Sequence, residues 1–314
     1  MKNSTEIIGN TNLHTGVRGI GLPPRKEKRL SRGQTAAFAF LAPALVVFAL
    51  FKYYPIVQSV FISFFHIDIV HLPGTFVGLE NYSRAFADPQ FYTALLHNLY
   101  FWLVGLTINF WPPIVLALLI NELRRGKTLL RLMYFIPAIA PAVAVSVLWK
   151  YIWQPDYGLA NALLGALGAP PQMWLNNPLL TYWCIYFPGF VMAGGMTMLI
   201  YLASMQEVSL EMYEAAVMEG AGFLDRVRYI TVPQIAGIIK VMFLLDVINK
   251  FNEMNAPLVM TGGGPMGTTQ TLILYAFNAA SDNMDYSYAI TLANIVFAIV
   301  FIVTALQMKF SKDK

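Results

Sequence analysis

Residues 213–237 read YEAAVMEGAGFLDRVRYITVPQIAG, a polar stretch between two long apolar segments of the chain. Within it, EAA at 214–216 is followed by EGA at 219–221, and Pro233 stands further on. This spacing predicts two short helices separated by a glycine break. Such a stretch is typical of a contact with another protein, and the apolar sequence on either side decides where it lies.

The composition indicates a membrane protein. Of the 314 residues 57% are hydrophobic and only 12% are charged, and the mean hydropathy is +0.56. A soluble domain of this length carries about 25% charged residues. Uncharged apolar runs of roughly 20 residues match the length of a helix that crosses a bilayer. The sequence therefore predicts an all-α integral membrane protein.

Six apolar runs are candidate transmembrane helices, and Pro112 and Pro113 are expected to kink the second. We expect three segments: a cytoplasmic basic tail over 1–34, a six-helix transmembrane domain over 35–308 that contains the polar loop 205–237, and a cytoplasmic tail over 309–314. The predicted spans are residues 35–65, 93–119, 132–153, 179–204, 238–257 and 288–306.

The distribution of Lys and Arg sets the orientation, because short loops rich in these residues stay in the cytoplasm. Seven lie in the tail, four in the loop after the second span, two in the 213–237 stretch and three at the C-terminus. The loops on the opposite side contain only Arg84, and Lys52 and Lys150 stand at span ends. Both termini and the polar stretch are therefore predicted to be cytoplasmic.

Several other classes of function lack their sequence signals. The single cysteine, Cys184, allows no disulfide framework, and four scattered histidines give no metal-ligand spacing. TGGGP at 261–265 lacks the GK[ST] ending of a phosphate-binding loop. The basic tail has no apolar run with a cleavage site, no aromatic residues, and a span directly after it, which argues against a cleaved signal peptide and against nucleic-acid binding.

The first helix of the polar stretch has two distinct faces, and Gly220 is expected to end it in a left-handed conformation. It is either a docking helix for a partner protein or an amphipathic helix at the membrane surface. The apolar stripe comprises Leu210, Tyr213, Ala216 and Val217, and the acidic stripe comprises Glu207, Glu211 and Glu214.

These residues resemble a known family. The order Glu214, Ala215, Ala216, Glu219, Gly220, Ala221, Ile230 and Pro233, between the fourth and fifth of six spans, is similar to the cytoplasmic coupling loop of binding-protein-dependent ABC importer permeases. FLAPAL at 40–45, FVGLENY at 76–82, YGLANALLGALG at 157–168 and TGGGP resemble the carbohydrate branch, and TGGGP the first-subunit type of maltose permease. The resemblance runs from about residue 35 to the end.

The resemblance implies a type I importer permease fold in a bacterial inner membrane, and a carbohydrate substrate, with an oligosaccharide expected. The partners it implies are a second homologous permease, two cytoplasmic ATPase subunits that hold ATP and Mg, a periplasmic or extracellular solute-binding protein, and membrane lipid. The chain itself would carry no cofactor, metal or catalytic site. The helix 214–220 would dock into an ATPase subunit. Glu219, Val227 and Gly237 depart from the usual Asp, aromatic and proline.

The fifth span contains the candidate substrate site, because Asp246, Asn249, Lys250 and Glu253 recur at spacings of three and four and share one helical face. Ionisable groups inside a membrane are costly and normally face a cavity or one another. A mutual salt bridge, or a place at the outer interface, is the alternative. By resemblance, the helix before the coupling loop adds Met192, Ala193 and Met196. The charges leave open a charged sugar such as a uronate as well as a neutral one, because their sum of about minus one does not require an anionic ligand.

Other features keep two interpretations. Gly194 and Gly195 serve either close helix packing or an approach of the backbone to substrate. The outer loops with WLNNP at 174–178 and TGGGP either face the binding protein or only form turns. A self-sufficient secondary transporter is the competing function, although it usually shows two matching halves, and an intramembrane enzyme would need a catalytic constellation.

Overall fold

The computed structural model describes residues 32–67, 74–123, 125–192 and 194–312. These form two compact units, one ending at Tyr54 and the other beginning at Pro55. Residues 1–31 of the predicted basic tail, Ala193 of the predicted sugar site and residues 313–314 lie outside the described part. The predicted domain boundaries stay predictions.

The structure is mostly helical, and its strands in the described residues are a hairpin of β1 (Phe65–His66) and β2 (Thr75–Phe76). π-helical turns at Ala49–Tyr53 and Val227–Thr231 join α1 to α2 and α12 to α13. The α-helices are α1 (Arg32–Phe48), α2 (Tyr54–Ile62), α3 (Glu80–Ala87), α4 (Pro89–Asn109), α5 (Trp111–Glu122), α6 (Lys127–Ala138), α7 (Ala142–Ile152), α8 (Leu159–Ala166), α9 (Pro178–Val191), α10 (Gly195–Gln206), α11 (Leu210–Met218), α12 (Phe223–Arg226), α13 (Val232–Phe251), α14 (Asn255–Thr261), α15 (Leu272–Ser281) and α16 (Tyr286–Lys312).

Four helical stretches are long and apolar enough to cross a membrane: Phe38–Ile62, Pro89–Glu122, Phe223–Phe251 and Tyr286–Lys309. Two bent pairs, α6 with α7 and α9 with α10, bring the number to six if each pair is one span. The predicted all-α, six-span fold is confirmed in this form.

The third predicted span departs from a single helix. α6 and α7 meet at 92°, so the predicted third span over 132–153 consists of two helices. The break falls at Pro141, which has an extended ψ of 130° and precedes the first residue of α7. A proline disfavours helical geometry at the residue before it and cannot donate a backbone hydrogen bond, and these two effects end α6.

The fourth span bends by 47° between α9 and α10. Gly194 has a φ of +51°, which a residue with a side chain rarely adopts. A Cβ on Gly195 would lie 2.1 Å from the carbonyl oxygen of Tyr134 in α6. The two glycines therefore bring helices close together, which favours packing over an approach to substrate.

The second span is interrupted at Phe110, and Pro112 and Pro113 occupy the first turn of α5, where their missing N–H groups cost nothing. The break lies where the prolines predict it. Beyond the fifth span the sequence predicts only loop, yet α14 and α15 form there, and α13 ends at Phe251, before the predicted end at 257.

Three clusters of buried side chains hold the second unit together. One lies among α3, α4, α15 and α16, one among α5, α10 and α13, and one among α4, α7, α9 and α14. Representative members are Phe91, Leu272 and Leu292 in the first, Ile120, Met198 and Tyr201 in the second, and Phe101, Tyr182 and Tyr186 in the third.

Candidate functional site: the polar loop and the cavity of the fifth span

The polar loop has a defined helix end. The N–H of Ala221 donates to the carbonyl of Ala216 at 2.9 Å, and the N–H of Gly220 to the carbonyl of Val217 at 3.0 Å. With a φ of +85° at Gly220, these two bonds form a Schellman motif. The predicted glycine therefore ends α11, and Phe223 begins the next helix after the four-residue connection 219–222.

Two side-chain contacts fix the loop to the spans. The Tyr213 hydroxyl lies 2.8 Å from the Thr231 hydroxyl at the start of the fifth span. Arg226 Nη2 donates to Glu122 Oε2 at 3.0 Å, at the end of the second span. α11 is therefore bonded to the start of the fifth span, and α12 to the end of α5.

The outer face of α11 is exposed. None of its residues is buried, and Met218 is 87% exposed and Val217 54%. Among the predicted coupling residues, Glu214, Ala215, Glu219 and Gly220 are exposed, while Ala216 and Ala221 are half-buried toward the spans. The four residues of the predicted apolar stripe therefore do not share one environment. Tyr213 and Ala216 are half-buried, whereas Leu210 and Val217 are exposed.

The second candidate site is a cavity of about 280 Å³ among α6, α7, α9, α13 and α14. Its charged lining residues are Lys250 and Glu253, near the end of the fifth span. The other lining residues include Asn109, Ser146, Tyr186, Gly189, Met192 and Asn255.

Lys250 is held from several sides. Its Nζ lies 4.5 Å from the centroid of the Tyr186 ring and 4.0 Å from Asp246 Oδ1, and its side chain is 13% exposed. Its aliphatic part crosses Gly105 of α4, where an added Cβ would lie 2.7 Å from Cε. The ammonium group is therefore positioned by the Tyr186 ring and the Asp246 carboxylate, and the absence of a side chain at Gly105 leaves room for the aliphatic part.

The cavity and its surroundings offer hydrogen-bonding groups to a ligand. Glu253 Oε1 accepts the N–H of Ala256 at 3.2 Å. Within the described residues, the buried Tyr186 hydroxyl, Asn109 Oδ1 and Asp246 Oδ2 have no hydrogen-bond partner. Because buried polar atoms normally have partners, these atoms are suited to the hydroxyls of a polar ligand or to water.

The structure brings part of the predicted substrate site together. Lys250, Glu253 and Met192 line the cavity. Asp246 lies beside it, in contact with Lys250. Asn249 is exposed, and so is Met196 at 57%; neither lines the cavity. These roles remain predictions.

The sequence did not predict most of the lining residues, among them Tyr186, Asn109 and Gly189. A Cβ on Gly189 would lie 2.5 Å from Asn109 Nδ2. The only signal available for Asn109 was a lone amide inside an apolar run, just before the proline pair.

A polar cluster joins the helices on the outer side. Asp88 Oδ2 accepts the hydroxyls of Tyr275 and Tyr288, both at 2.5 Å. Arg84 lies 4.2 Å from the centroid of the Tyr288 ring and 2.6 Å from Asp285. Partial burial would raise the pKa of Asp88, but the hydrogen bonds it accepts and the nearby Arg84 lower that pKa below its ordinary value. The cluster ties α3 and α4 to α15 and α16.

The structure thus combines an exposed helical loop bonded to two spans with a polar cavity beside a broken helix. Residues 113–313, more than half of the chain, match the family described as the binding-protein-dependent transport system inner membrane component. The chain belongs to this family, as the coupling-loop motif predicts. It is an inner-membrane, multi-pass permease of the ABC transporter class.

Two relatives cover nearly the whole chain. The sulfoquinovosyl glycerol transport system permease protein SmoG of Agrobacterium fabrum is 30% identical, over 93% of this chain and 95% of its own. The trehalose/maltose transport system permease protein MalF of Thermococcus litoralis is 29% identical, over 87% of this chain and 92% of its own. Both relatives are named as permeases for sugar compounds.

The fold also matches a solved structure, a bacterial alginate ABC transporter in complex with an alginate pentasaccharide-bound periplasmic protein. The TM-score is 0.80 at 19% identity, over 89% of this chain and 94% of the other. This match confirms the predicted type I importer permease fold.

Proposed function

We propose that this protein is one permease subunit of an ATP-driven, binding-protein-dependent importer of a carbohydrate. A second homologous permease completes the pathway, two cytoplasmic ATPase subunits hold ATP and Mg²⁺, and a solute-binding protein delivers the sugar. The observation that carries the proposal is the exposed α11, in a polar loop that is bonded to the fifth and second spans of a member of this family. The sugar specificities of the relatives support the substrate class.

In this proposal α11 transmits the movement of the ATPase subunits. The exposed residues Glu214 and Ala215 of α11, and Glu219 and Gly220 directly after it, would contact a groove on the partner. The Tyr213–Thr231 and Arg226–Glu122 contacts carry the displacement into the fifth and second spans. Rigid-body motion of packed helices of this kind is the usual basis of alternating access.

The same helix connects the loop to the cavity. From Thr231 to Lys250 is about 19 residues, or roughly 28 Å along a helix axis. Because a continuous helix moves largely as a body, rotation at Thr231 displaces Lys250 and Glu253 relative to Tyr186 of α9. The proposed substrate contacts would therefore change when the ATPase subunits close.

For the substrate we propose an oligosaccharide that carries acidic groups, such as a uronate. Lys250 is the one cation among the described residues that line the cavity, and the Glu253 carboxylate there already accepts the Ala256 N–H. Tyr186 provides an aromatic face beside the cation. Alginate, the ligand in the similar structure, is an acidic polysaccharide.

The coupling is tested by reconstituting the complete complex in proteoliposomes and measuring uptake together with binding-protein-stimulated ATP hydrolysis. Glu214→Lys and Gly220→Asp should reduce both activities while the subunits still co-purify. Glu214→Gln, which keeps the shape and removes only the charge, should retain more activity than Glu214→Lys. Full activity in both disruptive variants of an assembled complex would show that α11 does not couple.

The substrate class is tested separately by competition. Uronate oligosaccharides should inhibit uptake more strongly than neutral ones of equal length, and Lys250→Met should remove that preference without loss of assembly. Stronger inhibition by the neutral series would overturn the acidic substrate while leaving the coupling proposal intact.

A further inference from the structure

An apolar groove of about 740 Å³ runs along the surface between α5 and α9. Its walls are Trp111, Val115 and Leu119 of α5 and Trp183, Phe187 and Phe190 of α9, and Tyr134 of α6 also lines it. These six α5 and α9 side chains are each between 39% and 56% exposed, so the groove opens to the outside. The wall is aromatic and contains no charged side chain.

The cytoplasmic end of this groove is basic. Lys127 Nζ donates to the carbonyl of Asn121 at 2.7 Å, and Asn121 is two residues from the groove residue Leu119. Arg131 lies one helical turn before Tyr134 and shares its face of α6. Arg131 Nε is buried and has no hydrogen-bond partner among the described residues.

The acidic group at the end of α5 already has a partner. Glu122 at the end of α5 forms its ion pair with Arg226 at 3.0 Å. Lys127 and Arg131 therefore remain as cations at the level where the inner leaflet presents its headgroups.

We propose that the groove binds one anionic phospholipid of the inner leaflet. The phosphodiester lies at Lys127 and Arg131, and an acyl chain lies along the aromatic walls of α5 and α9. The charge at one end and the apolar wall along the rest match the two parts of such a lipid. A transmembrane helix of another protein would match the apolar wall and leave the two cations unused.

The dimensions agree with this occupant. Trp111 to Leu119 spans eight residues, or roughly 12 Å along the helix. The hydrocarbon layer of one leaflet is about half of the ~30 Å core. A single acyl chain therefore reaches from the basic residues to the level of Trp111.

The assembled transporter in nanodiscs tests this site through tryptophan fluorescence. Lipids with brominated acyl chains quench nearby indoles, and brominated phosphatidylglycerol is compared with brominated phosphatidylcholine at equal mole fraction. The difference between wild type and Trp111→Phe isolates the signal of the groove. Quenching of that signal should be stronger with phosphatidylglycerol, and loss of one cation should weaken the preference by about fivefold.

Arg131→Gln and Lys127→Gln should each reduce the preference, and the second variant carries the test if the first does not assemble. Arg228→Gln, at an exposed basic residue of the polar loop that does not line the groove, is the matched control and should leave the preference unchanged. Equal quenching by both lipids would overturn the proposal. Absence of quenching by either lipid would show that a protein segment covers the groove, and would overturn it as well.

Discussion

Replacement of Gly105 by alanine perturbs the proposed substrate site without replacing a charged residue. The new methyl group would lie 2.7 Å from Lys250 Cε and 3.0 Å from Tyr186 Cζ. Carbon atoms pack best at about 3.5–4.0 Å, so Lys250 has to move by roughly 1 Å. Because Cε is near the end of a flexible side chain, this movement costs little, and alanine favours the helix by up to ~1 kcal/mol.

The expected effect is therefore on binding and not on folding. Displacement of the ammonium misaligns its charged hydrogen bond to bound substrate; such a bond is worth about 1.5–3 kcal/mol, and we expect roughly 0.5–2 kcal/mol of it to be lost. At about 1.4 kcal/mol per tenfold change, substrate affinity should fall by roughly 2- to 30-fold. The melting temperature of the complex should stay within a few degrees of wild type.

The assay is sugar uptake into proteoliposomes over a range of concentrations of loaded binding protein, with assembly checked by gel filtration. Gly237→Ala is the matched control, because it also lies in a membrane helix and its added Cβ would meet nothing within 4 Å. Unchanged concentration dependence in Gly105→Ala, or an equal change in Gly237→Ala, would refute the role assigned to Lys250.

Three further changes have definite expectations. Gly220→Ala forces a side chain into a φ of +85° at a cost of about 1–2 kcal/mol and should lower ATPase stimulation, whereas Gly222→Ala, with its nearest atom at 3.5 Å, should not. Gly195→Ala places a Cβ 2.1 Å from backbone and should destabilise the complex by about 1–3 kcal/mol, seen as a lower melting temperature. Asp88→Asn should lower the melting temperature at neutral pH. Since the pKa of Asp88 lies below its usual ~3.9, the difference in melting temperature from wild type should persist down to about pH 4 and shrink below it. A difference independent of pH would contradict the carboxylate's role.

The loop was predictable from sequence because its signals are local. A glycine that must adopt a left-handed conformation ends a helix wherever it occurs, and Gly220 does so here. The apolar runs likewise give the number of spans, since their length is set by the bilayer. The right-angled turn at Pro141 was not predicted, because a proline inside a membrane helix is compatible with anything from a small kink to a complete break.

The cavity was only partly predictable because its contacts are distant in sequence. Lys250 is about 64 residues from Tyr186 and about 145 from Gly105, so no periodicity links them. Helical spacing correctly groups Asp246 with Lys250, yet it also places Asn249 on that face, and Asn249 is exposed. Which part of a face meets a cavity depends on the helices packed against it.

The central claim is that α11 seats on an ATPase subunit, and a disulfide crosslink tests it most directly. Met218 is 87% exposed on α11, and the natural thiol of Cys184 is 3% exposed. Met218→Cys, paired with a cysteine placed in the docking groove of the ATPase subunit, should crosslink on oxidation and stop uptake, and reduction should restore it. Met284→Cys, 70% exposed on the outer side, is the control and should not crosslink. Failure of Met218→Cys to crosslink in an active, assembled complex would contradict the account.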